Sequence, residues 1–203
     1  MAATGVAPGS HRAHLALTFP DTPALAGHAA AYQRALEGLP GLNPVPAEWL
    51  HLTLQAIGFA DEIPASAVTA VVAAVRARAA ALGPFELIFD RPGIYGEAIA
   101  IHTRPDAPVE RLRDAVRAGI ADVLGDDAVP TAPEQAHRFL PHVTIAYSRI
   151  DANAAPYAAA LADVERAPTS VPITAATLIR QERLLAPDWL YRWTIEAVAP
   201  LSA

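Results

Sequence analysis

Two short stretches of the chain alternate between apolar and polar residues, which is the pattern of a half-buried strand. The first reads Leu50-His51-Leu52-Thr53-Leu54, and the second reads His142-Val143-Thr144-Ile145. In a strand, residues i and i+2 point to the same face. Each stretch therefore predicts a strand that buries its apolar residues and presents one imidazole and one hydroxyl on the opposite face.

The remaining patterns predict a mixture of helices and strands. Apolar residues at helical spacing predict helices after Asp21 as N-cap, after Pro64, over residues 109–123 and, more weakly, over 152–164. Alternating or apolar runs predict strands over residues 14–19, 49–57, 85–89, 98–103, 171–182 and 191–198, with a hairpin turn at Arg91-Pro92-Gly93. We expect residues 1–13 to form a flexible tail and residues 14–203 to form a single bilobal domain.

The layout of the chain repeats. Leu17-Thr18-Phe19-Pro20-Asp21-Thr22-Pro23 resembles His102-Thr103-Arg104-Pro105-Asp106-Ala107-Pro108 at an offset of 85 residues, and the two motif histidines are 91 residues apart. Each half runs strand, Pro-Asp-x-Pro, helix, loop and His-x-Thr strand. An internal duplication of this kind predicts two similar lobes whose motif strands meet at a pseudo-symmetry axis.

The composition excludes several classes of protein. At 203 residues, 53% hydrophobic and 18% charged, the chain is long and apolar enough to fold around a core. It has no cysteine, so disulfides, thiolate metal sites and cysteine nucleophiles are excluded. All 15 of its Lys+Arg residues are arginines. Enzymes that form a lysine Schiff base or a lysine–nucleotide adduct, including adenylating nucleic-acid ligases, are therefore excluded as well.

The net charge of −6 indicates what the protein binds. A long groove that follows many phosphates needs a cation facing each of them, so we expect no such groove. A nucleotide or the phosphate at an RNA end is compatible with this charge. Residues 1–13 lack the pattern of a signal peptide, and no stretch approaches the roughly 20 apolar residues of a membrane span. We expect a cytoplasmic monomer without a membrane association.

The paired imidazoles and hydroxyls suit chemistry at a phosphodiester. Imidazole, with an ordinary pKa of about 6.5, both accepts and donates a proton near neutral pH. In-line displacement at phosphorus needs a base on the attacking oxygen and an acid on the leaving oxygen, which His51 and His142 could supply. Thr53 and Thr144 could donate hydrogen bonds to the non-bridging oxygens. This chemistry needs no metal and no cofactor.

At these motifs the sequence resembles the two-histidine (2H) phosphoesterase superfamily, and within it the 2′-5′ RNA ligase-like and RNA cyclic phosphodiesterase group. The motif contexts Trp49-Leu50-His51-Leu52-Thr53-Leu54 and Phe139-Leu140-Pro141-His142-Val143-Thr144-Ile145 carry this resemblance. It implies an α+β, bilobal, internally duplicated fold with two antiparallel sheets around a central cleft and helices outside. It also implies that His51 and His142 are catalytic and that Thr53 and Thr144 bind substrate.

The chain departs from the family pattern in two places. RNA-acting bacterial members usually continue the first motif as Leu-x-Phe-Leu-Gly, whereas this chain has Leu54-Gln55-Ala56-Ile57-Gly58. They usually carry an arginine five residues after the second histidine, where this chain has Tyr147, as some cyclic-nucleotide relatives do. Tyr147 is therefore a candidate substrate-binding residue. Strand alternation places it on the face away from His142 unless the strand bulges, whereas Gln55 and Ser148 have the parity of the histidines.

Simpler interpretations remain for each feature. The two histidines could be buried and bound to their own sheets, but the pair, the hydroxyls and the repeat favour a site. A zinc site is disfavoured because no acidic or cysteine partner lies at ligand spacing. Most other histidines are expected to be structural, although the strand of His14 could border the cleft. The closing aromatics Trp189, Tyr191 and Trp193 could stack on a base, but such residues are more often part of the core. Arg111, Arg113 and Arg117 are expected to form a solvated helix face.

We therefore expect a metal-independent phosphoesterase that acts on a 2′,3′-cyclic phosphate or a 2′-linked phosphodiester of a nucleotide or RNA end. One histidine would act as base and the other as acid; the sequence leaves their order open. The alternative is a binding module of the same fold that holds nucleotides or RNA ends without turnover. Retention of both histidines disfavours that alternative, because arginine binds phosphate better.

Overall fold

A computed structural model of the protein describes residues 11–129 and 139–202. The strands are β1 (His11–Thr18), β2 (Leu42–Pro44), β3 (His51–Phe59), β4 (Phe85–Tyr95), β5 (Ala98–Arg104), β6 (His142–Ser148), β7 (Thr169–Ile173), β8 (Ala175–Leu184) and β9 (Leu190–Pro200). The helices are α1 (Pro23–Ala35), α2 (Ala65–Ala79), α3 (Asp106–Leu124) and α4 (Ala155–Ala162). Within these ranges, none of the helices is both long and apolar enough to cross a membrane.

The strands form two antiparallel sheets, in the order β3-β1-β8-β9 and in the order β2-β6-β5-β4-β7. In each sheet a motif strand, β3 or β6, pairs with the strand that precedes α1 or α3. Across these pairs His51 lies opposite Thr18, and His142 lies opposite His102. The two lobes thus repeat one arrangement, and the predicted bilobal α+β fold with two antiparallel sheets is confirmed.

The helices cross between the lobes. α2 and α3 pack together over the first sheet, against β9 and β3, while α1 and α4 lie over the second sheet, against β6, β7 and β4. α1 follows a strand of the first sheet but covers the second, and α3 does the reverse. The two lobes are therefore interlocked, and buried side chains from both form one continuous core.

The apolar residues of the motif strands belong to this core. Leu52, Leu54, Val143 and Ile145 are at most 1% exposed. Burying one such side chain stabilises the fold by about 1.5–3 kcal/mol. A register slip of one residue would expose the whole row and bury the imidazoles and hydroxyls instead. Core packing thus decides which face carries the histidines.

Each motif strand has a β-bulge at the third residue after its histidine. The pairing of β3 with β1 skips Leu54, and the pairing of β6 with β5 skips Ile145. A bulge leaves one residue unpaired, so the alternation of side chains between the two faces reverses beyond it. Gln55 and Ala146, which follow the bulges, are accordingly buried on the helix-covered faces of their sheets.

Polar side chains of the crossing helices bind the carbonyl groups of these bulges. Arg113 of α3 donates from Nε to the Leu54 carbonyl oxygen at 3.1 Å. Gln33 of α1 donates from Nε2 to the carbonyl oxygens of Ile145 at 2.9 Å and Val45 at 2.8 Å. Leaving a buried carbonyl without a partner costs about 1–3 kcal/mol. The two helices therefore stabilise equivalent bulges in the two lobes.

The solvated helix face predicted for three arginines is correct only for Arg111, which is exposed. Arg113 also lies over the Phe139 ring, with its guanidinium carbon 4.4 Å from the ring centre. Arg117 hydrogen-bonds the Gln55 side chain and the Val129 carbonyl. The prediction for these two failed because their long side chains reach across the packing interface to polar groups of β3 and its neighbours.

The first strand starts earlier than predicted. β1 begins at His11, and Arg12 pairs with strands on both sides, Phe59 of β3 and Gln181 of β8. Residues 11–13 therefore belong to the sheet and not to the tail predicted over residues 1–13. Residues 1–10 lie outside the described residues, as do residues 130–138, which include His137.

The turn predicted at Arg91-Pro92-Gly93 is wrong, because these residues continue β4. The pairing of β4 with β5 is irregular between Phe89 and Pro92, and such irregularities tolerate a proline that cannot donate a hydrogen bond. The hairpin turn is Gly96-Glu97, where Gly96 adopts a φ of +56°, a conformation that glycine enters without steric cost.

Two further predictions from periodicity are corrected. The strand predicted over residues 171–182 is divided at Thr174 between β7, which pairs with β4, and β8, which pairs with β1. Both parts are apolar, so the pattern contained no sign of the change of sheet. α1 begins after Thr22 and not after Asp21, and no side chain caps its first turn.

Replacing Gln33 with methionine tests the role of α1 at the bulge. We expect Gln33→Met to lower the free energy of unfolding by about 1–3 kcal/mol, because the Val45 carbonyl loses its side-chain donor, whereas the Ile145 carbonyl keeps the Val45 N–H at 2.8 Å. Urea denaturation would measure this. Arg34→Met, at the exposed neighbouring position of α1, is the matched control. Equal stability of the two variants would contradict the role assigned to Gln33.

Candidate active site

The two motif strands meet where the sheets face each other. β3 is the edge strand of the first sheet, β6 lies beside the short β2 in the second, and β3 and β6 are in contact. His51 and Thr53 lie on the face of β3 opposite its buried leucines. His142 and Thr144 do the same in β6. We call the space between these two faces the cleft.

Both motif imidazoles are held by the same hydrogen bond. Nδ1 of His51 lies 2.9 Å from the carbonyl oxygen of Trp49, and Nδ1 of His142 lies 2.8 Å from that of Leu140. A carbonyl oxygen only accepts hydrogen bonds, so Nδ1 carries the proton in each ring. In the neutral form of either histidine, Nε2 is therefore left with its lone pair. This is the atom through which each ring can exchange a proton.

His51 is held from several directions. The side-chain amide of Gln181 in β8 lies 2.9 Å from Nε2 of His51. The ring of Trp193 in β9 packs edge-on, with ring centres 6.3 Å apart, and its Nε1 donates at 2.9 Å to the same Trp49 carbonyl that binds His51. Burial lowers the pKa of His51; the Trp49 hydrogen bond partly opposes this, and the charge of His142 lowers it further. His51 is consequently poised in its neutral form near pH 7.

His142 has a more open environment. It is exposed, and its ring centre lies 6.2 Å from that of His102, its cross-strand partner in β5. Tyr95 of β4 packs on His102 with ring centres 4.8 Å apart. The lobes are thus symmetric in their backbone but not in the surroundings of their histidines. One imidazole is half-buried and neutral, and the other is exposed to solvent.

The bulge in β6 turns Tyr147 toward the cleft. Its hydroxyl hydrogen-bonds Thr144, and burial is the main cause that raises the pKa of Tyr147 above its ordinary value. Its ring stacks on the ring of Trp189, with ring centres 6.4 Å apart, and its centre lies 5.3 Å from that of the Tyr191 ring. The exception that strand alternation allowed for Tyr147 is therefore the one that occurs. The equivalent bulge in β3 turns Gln55 toward the helices and away from the cleft. The Ser148 hydroxyl donates to the Ile150 carbonyl at 2.9 Å.

His14 borders the cleft on the first sheet. It pairs with Ala56, the residue that the β3 bulge turns in the same direction as Tyr147 is turned in β6. His14 is 8% exposed, and neither of its ring nitrogens has a hydrogen-bond partner among the described residues. Desolvation, followed by the charges of His51 and Arg12, lowers the pKa of His14 to about 3. His14 therefore stays neutral while the protein is folded.

Several residues around the motifs were not predicted. Gln181 and Trp193 contact His51, and His102 contacts His142, although none of the three lies in a motif. No local pattern distinguishes Gln181, which lies among Arg180, Glu182 and Arg183 in β8. His28, by contrast, is structural as expected: it is fully buried, with Nε2 2.8 Å from the Asp90 carbonyl oxygen. Within the described residues, no cluster of three or more possible metal ligands is found.

Solved structures show which class of protein has this fold. TT0787 of Thermus thermophilus is similar with a TM-score of 0.70 and 22% identity, over 94% of this chain and 97% of that chain. LigT of E. coli in its apo form has a TM-score of 0.61 and 21% identity, over 96% of this chain and 99% of the LigT chain. The MHV ns2 PDE domain has a TM-score of 0.54 and 15% identity, over 83% of this chain and 97% of that domain. The chain has the LigT-like 2H phosphoesterase fold.

The family model of the 2′-5′ RNA ligase superfamily matches residues 19–184. This span includes both motifs and most of the chain, so the protein belongs to the 2′-5′ RNA ligase superfamily. Its membership confirms the resemblance to the 2H phosphoesterases and indicates a phosphoesterase-type function. A comparison with curated protein sequences gives no match.

The buried histidine His14 should make stability depend on pH. Its pKa is lowered from 6.5 to about 3 on folding, so the unfolded chain binds a proton below pH 6.5 that the folded chain does not bind. Titration of His14 therefore leaves the free energy of unfolding unchanged above about pH 6.5 and lowers it as the pH decreases toward 3. We expect His14→Leu to reduce the loss of unfolding free energy between pH 6.5 and 5 by up to about 2 kcal/mol, since each proton contributes about 1.4 kcal/mol per pH unit.

Urea denaturation of both proteins across this pH range measures the difference in slope. The offset between the two curves at pH 7.5 gives the packing effect of the substitution, which serves as the internal control. Parallel curves would show that His14 does not titrate differently in the folded and unfolded states.

Proposed function

We propose that the protein is a metal-independent phosphoesterase that opens a 2′,3′-cyclic phosphate, or cleaves a related 2′-linked phosphodiester, on a nucleotide or RNA end. The observation that carries this proposal is the matched pair of imidazoles in the cleft. Each holds its Nδ1 proton on a carbonyl two residues earlier, and each has a threonine two residues later. Such a pair provides two proton-transfer atoms and two hydroxyl donors to one phosphate.

Hydrolysis would proceed by in-line displacement at phosphorus. One imidazole takes a proton from water while the water oxygen forms a bond to phosphorus. The bond from phosphorus to one ribose oxygen breaks, and the other imidazole gives that oxygen a proton. The product is a phosphomonoester. Thr53 and Thr144 would hold the non-bridging oxygens, with Tyr147 oriented by its hydrogen bond to Thr144.

The different environments of the histidines suggest their roles. Burial lowers the pKa of His51 and favours its neutral form, which is the form that a general base needs. We assign His51 as the base and the exposed His142 as the acid. The Gln181 amide occupies the lone pair of His51 Nε2 in this structure, so the attacking water must displace it.

The comparisons support the substrate class. E. coli LigT, 20% identical to this chain, has been crystallised with 3′-AMP, and also, at 22% identity, with phosphate. A nucleotide-bound phosphate is therefore a reasonable ligand for the cleft of this protein. The expected monomeric state and cytoplasmic location remain predictions.

The proposal is tested with nucleoside 2′,3′-cyclic monophosphates in excess EDTA. We expect turnover to persist, and His51→Ala and His142→Ala each to lower kcat/KM by about 10²–10⁴-fold, because each removes one proton transfer. His11→Ala is the matched control, since His11 lies in β1 outside both motifs. Activity lost on chelation would indicate a metal site. Binding without turnover in every protein would instead favour the binding module.

The assigned roles are tested with a phosphodiester whose leaving group is p-nitrophenolate. This group departs without protonation, so the acid becomes dispensable while the base does not. We expect His142→Ala to recover most of its lost activity on this substrate, relative to the cyclic phosphate, and His51→Ala to recover little. The recovery is measured as the ratio of kcat/KM values for the two substrates. Recovery by His51→Ala alone would reverse the assignment.

A further inference from the structure

Two arginines on the cleft side of the first sheet differ from the other arginines of that sheet. Arg12 lies in β1 and Arg183 in β8, and neither forms an ion pair within residues 11–129 and 139–202. The Nε atom of each is buried and has no hydrogen-bond partner there. By contrast, Arg180 binds Asp61 and Glu196, and Arg192 binds Glu182; all of these pairs lie at the surface of the sheet.

Both guanidinium groups rest on aromatic rings. The guanidinium carbon of Arg12 lies 4.9 Å from the ring centre of Phe59, and that of Arg183 lies 5.1 Å from Trp189 and 5.7 Å from Tyr191. A cation–π contact contributes about 0.5–2 kcal/mol but satisfies none of the N–H donors. A buried donor without a partner is unfavourable, and an anion would remove this cost. The rings therefore orient two cations whose Nε–H donors are not used by the described part of the fold.

Both arginines neighbour Gln181, the residue of β8 that contacts His51. Arg12 lies directly opposite Gln181, whose amide is 2.9 Å from His51 Nε2. Arg183 follows Gln181 by two residues on the same face of β8, which is about 7 Å along a strand. Both arginines thus adjoin the residue that contacts His51.

The surrounding charges make this patch locally positive in a protein of net charge −6. Arg12 and Arg183 both act electrostatically on Tyr191, and Arg183 also acts on Tyr147. Glu97 is the acidic residue that influences the same two tyrosines, and it forms no ion pair with Arg183 in the described structure. A negatively charged ligand group would therefore be attracted here.

We propose that Arg12 and Arg183 form a subsite for a second phosphate of the substrate, one linkage away from the phosphate between the two histidines. The inference rests on the proposed function and names its substrate class. Guanidinium groups bind phosphate oxygens through two parallel hydrogen bonds, which suits this role. The adjacent rings of Trp189, Tyr191 and Tyr147 offer a surface on which a base can stack. Tyr147 replaces the arginine usual in RNA-acting relatives, so the cations here come from other strands.

The test compares three substrates: adenosine 2′,3′-cyclic phosphate, its 5′-phosphorylated form, and an adenylyl dinucleotide that ends in the same cyclic phosphate. We expect wild type to prefer the substrates with a second phosphate. Arg12→Gln and Arg183→Gln should each reduce this preference in kcat/KM by about 10- to 100-fold. A preference for the dinucleotide alone identifies an internal phosphodiester as the ligand, and a preference for the 5′-phosphate alone identifies a terminal one.

Salt provides a second readout. The slope of log KM against log salt concentration for the dinucleotide should become shallower by about 0.7 for each arginine removed. Arg192→Gln, at an exposed ion pair of β9, is the matched control and should alter neither preference nor slope. Arg12→Lys and Arg183→Lys keep the charge without the planar fork, and should retain the slope while losing part of the preference.

The outcomes separate this inference from the proposed function. Equal losses on all three substrates, or no loss on any, would overturn the subsite while hydrolysis of the mononucleotide stands. If no substrate is turned over, calorimetric binding of the dinucleotide carrying a terminal 2′-phosphate still decides. Tighter binding of the dinucleotide than of adenosine 2′-phosphate would support the subsite if Arg183→Gln abolishes the difference. Equal affinity of wild type for the two ligands would overturn it.

Discussion

The site depends on the burial of alternate residues along β3 and β6. Leu52 and Leu54 in one strand, and Val143 and Ile145 in the other, are withdrawn almost completely from solvent. Their burial leaves the imidazoles and hydroxyls no position except the opposite face, since neighbouring side chains of a strand point in opposite directions. The hydrogen bonds from the two Nδ1 atoms to backbone carbonyls then fix the rings. The hydrophobic effect selects the face, and the hydrogen bond leaves Nε2 as the unprotonated nitrogen of each neutral ring.

The bulges turn a symmetric scaffold into an asymmetric site. They occur at equivalent positions, Leu54 and Ile145, and each has its carbonyl bound by the helix that crosses from the other half of the chain. The residues that they turn toward the cleft differ: Ala56 in one lobe and Tyr147 in the other. The small side chain of Ala56 lies beside buried His14, whereas Tyr147 joins an aromatic group with Trp189 and Tyr191. The two lobes thus share one backbone frame and differ in the residues just beyond the bulge.

The distribution of charge follows the same division. The helix arginines Arg113 and Arg117 bind backbone and amide groups behind the motif strand, and so support it mechanically. The ion-paired arginines lie on the outer surfaces, where exposed pairs contribute little to stability. Among the described residues, Arg12 and Arg183 are the cations that we place beside the cleft, which fits a ligand with one or two phosphates better than a long polyanion.

The sequence by itself determined both motifs, the repeat and the presence of every described α-helix, because periodicity and spacing are local properties of the chain. The resemblance of the motifs to a known family implied the fold class. It did not determine the turn at Gly96-Glu97, the change of sheet at Thr174 or the direction of Tyr147. These depend on the register between strands, which is set by packing over long range. Nor did it reveal Gln181, which reaches His51 only because β8 is placed beside β1. Contacts between residues 130 positions apart have no local signature, so only the tertiary structure could decide them.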